Sequence, residues 1–214
     1  NAKFIHLTRD YRDQMVSMKK MDFEMSQPAL VSYRWKLSVK SLYPYKEKYP
    51  DKFLTIKYED LVKTPENKLK EICNHLNIEY NPVMLDFHKI DVGSGFMPKE
   101  AMKKYHSKKY HSSLFNPLNT SKVNSWENIL TDKEVKIADM VTGKSAVTAG
   151  YKRKYEHFNL WLYVTMLPIL IYGWIWDLSR KVINVLPFNI KMAIYKISPV
   201  LPAIYLRLKN NKHD

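Results

Sequence analysis

The chain has 214 residues, with 35 Lys+Arg against 21 Asp+Glu and a net charge of +14. With 45% hydrophobic and 26% charged residues it is a folding chain, not a disordered one, and its length allows one α/β domain plus an extra element, or two small domains. A single cysteine, Cys73, excludes an internal disulfide framework and a Cys-rich zinc site. The cationic excess fits a negative partner: nucleic acid, a membrane surface or a small anionic ligand. A Lys/Asn/Ile/Tyr-rich composition gives the same excess through codon bias alone.

The first residue is Asn1, not Met, and strand residues follow at once. The expectation is a chain whose front is missing. Lys3 to Thr8 (KFIHLT) reads as a buried strand, and helical pattern runs from about Tyr11 to Glu24. Pro28 opens a second helix, with Trp35, Val39, Leu42 and Tyr49 on one face. A turn at Asp51-Lys52 leads into a second strand, Phe53 to Tyr58 (FLTIKY).

Thr64 is a good N-cap and Pro65 suits the first position of the next helix. Leu69, Ile72, Cys73 and Leu76 then share one apolar face, so Cys73 reads as core rather than nucleophile. Asn77 closes the helix, since Asn tolerates the left-handed conformation. Gly93 to Lys122 is loop-like and basic, with Lys103, Lys104, Lys108 and Lys109 interleaved with Tyr105, His106, Tyr110 and His111. Thr131 and Glu134 form a capping box before a helix that turns Val135, Ala138 and Val141 inward, with Gly143 and Gly150 after it. Strand, helix, strand, helix in this order predicts parallel α/β architecture.

The strand ending at Thr8 delivers Arg9-Asp10-Tyr11-Arg12-Asp13 into a strand-to-helix turn. Ligands of open α/β sheets sit beyond the carboxyl ends of strands, where helix N-terminal amides favour an anion. Arg9 adds a planar fork suited to phosphate, and Ser17, within the following helix, is placed to reach back toward it. Pairing of Arg9 and Arg12 with Asp10, Asp13 or distant carboxylates is the structural alternative. Ala138 to Ser145 (ADMVTGKS) fits the loosest nucleotide-loop pattern, but a capped helix precedes it where that loop needs a strand.

The run Lys3 to Met18 (KFIHLTRDYRDQMVSM) resembles the 3′-phosphate-binding segment of the sulfotransferases that use 3′-phosphoadenosine 5′-phosphosulfate: a strand, an Arg-Asp-x-Arg-Asp turn, and a Ser eight residues after the first Arg. Lys57-Tyr58-Glu59-Asp60-Leu61 with Thr64-Pro65-Glu66 is similar to the family's Tyr-Glu-Asp-Leu strand end. His75-Leu76-Asn77-Ile78 resembles its Phe-Leu-Gly-Leu, with Asn77 replacing Gly. Ser121 to Trp126 (SKVNSW) resembles its Ser-Arg-Val-Gly-x-Trp loop, with Lys122 replacing Arg.

This resemblance implies a partial P-loop-NTPase-like parallel sheet flanked by helices. It implies that Arg9, Ser17 and Lys122 hold the cofactor's 3′-phosphate, that Tyr58 lies near the adenine, and that no metal takes part. The implied reaction moves a sulfuryl group from 3′-phosphoadenosine 5′-phosphosulfate (PAPS) to a hydroxyl of a glycan or lipid-linked acceptor. The family's phosphosulfate loop and catalytic base have no counterpart in the sequence, so the catalytic residue stays unassigned and the chain alone is expected to be inactive. His6 reads as core. The alternative is a non-catalytic nucleotide- or polyanion-binding module at a membrane surface; nucleic-acid binding is disfavoured.

The expected division is a sulfotransferase-like domain over 1–156 and a C-terminal helical, membrane-associated tail over 157–214, without which a cytoplasmic location would follow. Leu160 to Trp176 carries no charge, and at about 17 residues it touches the lower bound for a membrane span. Basic residues follow it, among them Arg180, Lys181, Lys191 and Lys196. Pro168, Pro187, Pro199 and Pro202 predict several short helices lying on a membrane rather than one long one.

Overall fold

The computed structural model describes residues 2–21, 26–89 and 116–197. The chain divides into two compact units, Asn1–Met166 and Leu167–Asp214. The first begins with β1 (Phe4–Thr8), α1 (Tyr11–Lys19) and α2 (Pro28–Lys48). A 3-10 turn, Pro50–Lys52, leads to β2 (Phe53–Lys57), α3 (Tyr58–Lys63) and α4 (Pro65–Leu76). After a 3-10 stretch, Pro82–Lys89, come α5 (Trp126–Ile129), α6 (Asp132–Thr142) and α7 (Lys144–Thr148). Helix α8 (Leu160–Val185) starts in the first unit and ends in the second, which also holds α9 (Phe188–Ile197). The basic segment around Lys103 to His111, and Pro199 and Pro202, lie outside the described residues.

β1 and β2 pair in parallel, Phe4 opposite Phe53 through Thr8 opposite Lys57, giving the α/β order expected from the sequence. The register sets both carboxyl ends at one edge, where Arg9 and Tyr58 follow. Helix α2 packs chiefly on α6, and α1 on α2. Tyr11, Met15, Val16, Val31, Trp35, Trp126, Val135, Ala138 and Tyr151 form the core between them.

Local signals hold where the chemistry is local. Asn77 closes α4 at φ 58°, ψ 44°, and its amide donates to the Asn74 carbonyl at 3.1 Å. Thr131 and Glu134 form both halves of the capping box on α6. Cys73 is buried. Gly150 sits at φ +79°, a conformation that costs an L side chain, and a Cβ there would come within 2.8 Å of Lys57 Nζ.

Four expectations are corrected. β1 is not a buried strand: Phe4, Ile5 and Leu7 are each about half exposed. A parallel strand is buried when strands and helices cover it, and among the described residues only β2 lies beside it. α1 ends at Lys19, short of Glu24. Thr64 precedes α4 without capping it through its side chain, because its hydroxyl donates to the Asp60 carbonyl at 3.0 Å instead. The described part of the tail is not a series of short helices: α8 runs 26 residues through Pro168, and among the described residues the helix is interrupted at Leu186-Pro187, before α9.

Candidate functional site

The turn after β1 is held by carboxylates. Asp10 caps α1, accepting from the Arg12 amide at 2.9 Å and from Arg12 Nε and Nη2 at 3.0 and 2.7 Å. Arg12 also donates to the Lys152 carbonyl at 3.0 Å and lies 3.9 Å over the Trp126 ring. Asp13, fully buried, accepts from the Asn124 amide, the Ser125 hydroxyl and the Trp126 amide at 2.8, 2.9 and 3.0 Å. This brings the 121–126 loop against the start of α1, with Asn124 at φ 55°. Asp139 gathers the Lys154 and Tyr155 amides at 2.8 and 2.7 Å and the Tyr11 hydroxyl. Glu59 accepts from the Asp10 amide at 2.9 Å and the Tyr151 hydroxyl at 3.1 Å, joining both strand ends to the segment after α7. Burial pushes the Tyr11 hydroxyl above its usual range, helped by its hydrogen bond to Asp139. Burial does the same to Tyr151, helped by the charge on Glu59.

Arg9 stands apart from this network. Its Nη2 donates to the Lys122 carbonyl at 2.9 Å, and its guanidinium lies 4.7 Å from the Tyr58 ring centre. Its backbone carbonyl accepts from Trp35 Nε1 at 3.0 Å. Its Nε is buried and has no hydrogen-bond partner among the described residues. A buried charged donor left unmatched is costly, and an anion is the group that satisfies it.

Beside Arg9 opens a cavity of about 380 Å³, within the range of small-molecule sites. Its wall includes His6, Thr8, Arg9, Gln14, Arg34, Trp35, Ser38 and Tyr58, and among the described residues no carboxylate. His6 is a half-buried wall residue rather than core; burial, and then Lys46, hold its imidazole below the usual range.

Of the residues read from the sequence, Arg9 and Tyr58 line this cavity together. Lys122 is joined to Arg9 through its carbonyl, and its side chain is exposed. Ser17, on α1, is half-buried and is not among the cavity-lining residues; Gln14 and Met18 of the same helix are. Sequence reasoning missed Glu59, Asp139 and the second roles of Asp10 and Asp13. The signal available was a cluster of acidic residues beside apolar ones, which buries only when amides or guanidinium groups satisfy it. Gly143 breaks a helix–turn–helix between α6 and α7, so ADMVTGKS is no nucleotide loop. Among the described residues no group of three or more His, Cys, Asp or Glu side chains could hold a metal ion.

A family model described as the sulfotransferase family matches residues 1–82. Protein-tyrosine sulfotransferase 1 of Danio rerio is 25% identical over 131 residues, covering 59% of this chain and 36% of that protein. The sulfotransferase domain of the Synechococcus PCC 7002 olefin synthase superposes with a TM-score of 0.55 at 20% identity, covering 71% of this chain and 50% of that one. The sulfotransferase domain of the curacin biosynthetic pathway superposes with a TM-score of 0.53 at 20% identity, covering 70% and 54%. The chain therefore spans about a third of that relative and about half of each of these solved domains. Its resemblance to the sulfotransferases extends across sequence and fold.

Proposed function

We propose that the chain is part of a sulfotransferase that takes PAPS as donor and sulfates a hydroxyl, working beside a membrane. The observation that carries this reading is Arg9. Tyr58 holds its guanidinium from the face and the Lys122 carbonyl holds it from the edge, while Nε keeps a donor for a ligand at the strand end. In this reading Arg9 and Lys122 hold the 3′-phosphate, Tyr58 meets the adenine, and Ser17 contributes from the side of α1.

When PAPS is bound, the acceptor oxygen bonds to sulfur as the sulfur–oxygen bond to the nucleotide's phosphate breaks, and the acceptor's proton passes to a base. The residues named here bind and orient the nucleotide; none of them is assigned as that base. The acceptor is a hydroxyl. The name of the Danio rerio relative points to a tyrosine hydroxyl, whereas the Arg-Asp-x-Arg-Asp variant points to a glycan or a lipid-linked one. The membrane setting is supported by α8, which is long and apolar enough to cross a bilayer and little buried.

Calorimetry with 3′-phosphoadenosine 5′-phosphate and with adenosine 5′-phosphate tests the nucleotide. The 3′-phosphorylated form is expected to bind at least tenfold more tightly, and Arg9→Ala to remove that preference. Equal binding of the two by the parent chain overturns the assignment. Transfer of labelled sulfuryl groups to a tyrosine peptide, a glycan and a glycolipid, using a polypeptide that spans the full length of the sulfotransferase relatives, then decides the acceptor.

A further inference from the structure

We infer that α8 crosses the bilayer as a single transmembrane helix, rather than lying along its surface. This deepens the membrane reading above, on which it rests.

The inference starts from the distribution of polar residues around the helix. A helix lying in the interface needs a charged or strongly polar face turned to water. From Leu160 to Trp176, α8 has no charge on any side. Its exposed apolar residues include Trp161, Val164, Ile171, Tyr172, Trp174 and Ile175. At 100° per residue, these six positions cover more than a third of the circumference, and Leu162, Met166, Ile169 and Leu170 fill much of the rest. A helix apolar all round belongs either in a protein core or in a membrane. Among the described residues the protein core does not supply that cover, because only 11% of its most apolar 18-residue window is buried. A protein groove would cover one face only; lipid covers all of them.

The dimensions agree. Seventeen helical residues rise about 26 Å, close to the roughly 30 Å hydrocarbon thickness. Trp161, 81% exposed, marks one end of the run, and Trp174 and Trp176 mark the other, as aromatic belts do at the two interfaces. Past that second end, Asp177 pairs with Lys181 at 2.9 Å, and Arg180 follows. Cations also precede the helix, at Lys152, Arg153 and Lys154. The apolar run is thus bounded by charge on both sides, and anionic headgroups complement it there. Pro168 fits the same setting, since proline is tolerated within transmembrane helices.

The test uses two cysteine variants of the whole chain, each in a Cys73→Ser background: Phe158→Cys, before the helix, and Val185→Cys, at its end. Both sites are open, at 63% and 83% exposure, so neither change disturbs the core; Phe158→Cys removes one surface ring contact, with Tyr163 at 5.4 Å. Each is synthesised in the presence of sealed microsomes, so that all copies enter with one orientation, and treated with a membrane-impermeant maleimide before and after detergent. A spanning helix labels at one site before detergent and at the other only after it. The protein also stays with the membranes in alkaline carbonate. If both sites label fully before detergent while the protein still sediments with the membranes, the span is overturned and surface association stands. If the protein remains in the supernatant, the span and the membrane reading both fall.

Discussion

Arg9 and Arg12 are three residues apart in one turn, and the fold uses them in opposite ways. Arg12 is buried, held by both oxygens of Asp10, the Lys152 carbonyl and the Trp126 face. Arg9 has one carbonyl and one ring, and among the described residues keeps a buried N–H without a partner. Asp10, Arg12 and Asp13 of the Arg-Asp-x-Arg-Asp run build the turn, while Arg9 lines the cavity. A charged motif is therefore not uniformly a ligand site. Its members divide according to whether the protein already satisfies them.

The contrast breaks most sharply at Asp13. Asp13→Ala would strip acceptors from two amides and a hydroxyl at once. The expected loss is about 3 kcal/mol or more, read as a lower denaturant midpoint. A loss below about 1 kcal/mol would mean that the 121–126 loop is not held by this carboxylate. The next largest contrast is between the arginines themselves. Arg12→Ala is expected to cost about 3 kcal/mol, since it leaves Asp10 buried without its partner. Arg9→Ala should cost about 1 kcal/mol in stability but about 2–3 kcal/mol in affinity for 3′-phosphoadenosine 5′-phosphate. Thermal midpoints with and without nucleotide separate the two. If both variants lose stability equally, the division of the motif is wrong.

The same division explains what could be read in advance. The Asn77 cap, the Thr131–Glu134 box and the start of β2 depend on neighbours within a few residues, so the sequence alone carried them; the strand's end, expected at Tyr58, falls at Lys57, where Tyr58 opens α3. The pairing of Arg12 with Asp139, the grip of Asp13 on Asn124, and the bridge from Glu59 to Tyr151 join residues about 90 to 130 positions apart. No local pattern encodes which acid finds which amide. At the candidate site, Arg9 and Tyr58 were legible through strand-end placement and motif resemblance, whereas Gln14, Arg34 and Ser38 enter the wall only through the packing of α1 and α2. The exposure of β1 was hidden because an apolar run says nothing of how many strands surround it. The continuity of α8 was hidden because the penalty for an internal proline depends on what surrounds the helix.

A smaller effect comes from the two buried tyrosines, which belong to the satisfied half. Tyr11 donates to Asp139 and Tyr151 to Glu59, and both titrate above the ordinary value of 10.0. Their folded state favours the neutral phenol more than the unfolded state does. Their contribution is complete below pH 10.0 and is lost as pH climbs past that value, because the unfolded chain then ionises first. Tyrosinate absorbance should rise in two parts: a gradual one from exposed residues, and a later one coincident with loss of helical circular dichroism. A single gradual rise with the helical signal intact would mean that neither hydroxyl is held.

The smallest expected effect sharpens the comparison within α6 itself. Asp139, near its end, is fully buried and gathers backbone amides, whereas Asp132, in its first turn, is exposed. Asp132 accepts from the Tyr155 hydroxyl first, then from Lys136 at 2.9 Å, and these hold its carboxyl down to about 2 from 3.8. A lowered folded value means that the stabilisation is present above the unfolded value of 3.8 and is lost as pH falls through about 2. Solvent screens an exposed pair, so the gain in stability is slight. Tyr155→Phe should move the Asp132 carboxyl resonance back toward an ordinary titration while leaving the denaturant midpoint at neutral pH almost unchanged. A large drop in that midpoint would mean that the Tyr155 hydroxyl, and not only its amide on Asp139, holds the fold, and the exposed rim of α6 would then be as structural as its buried end.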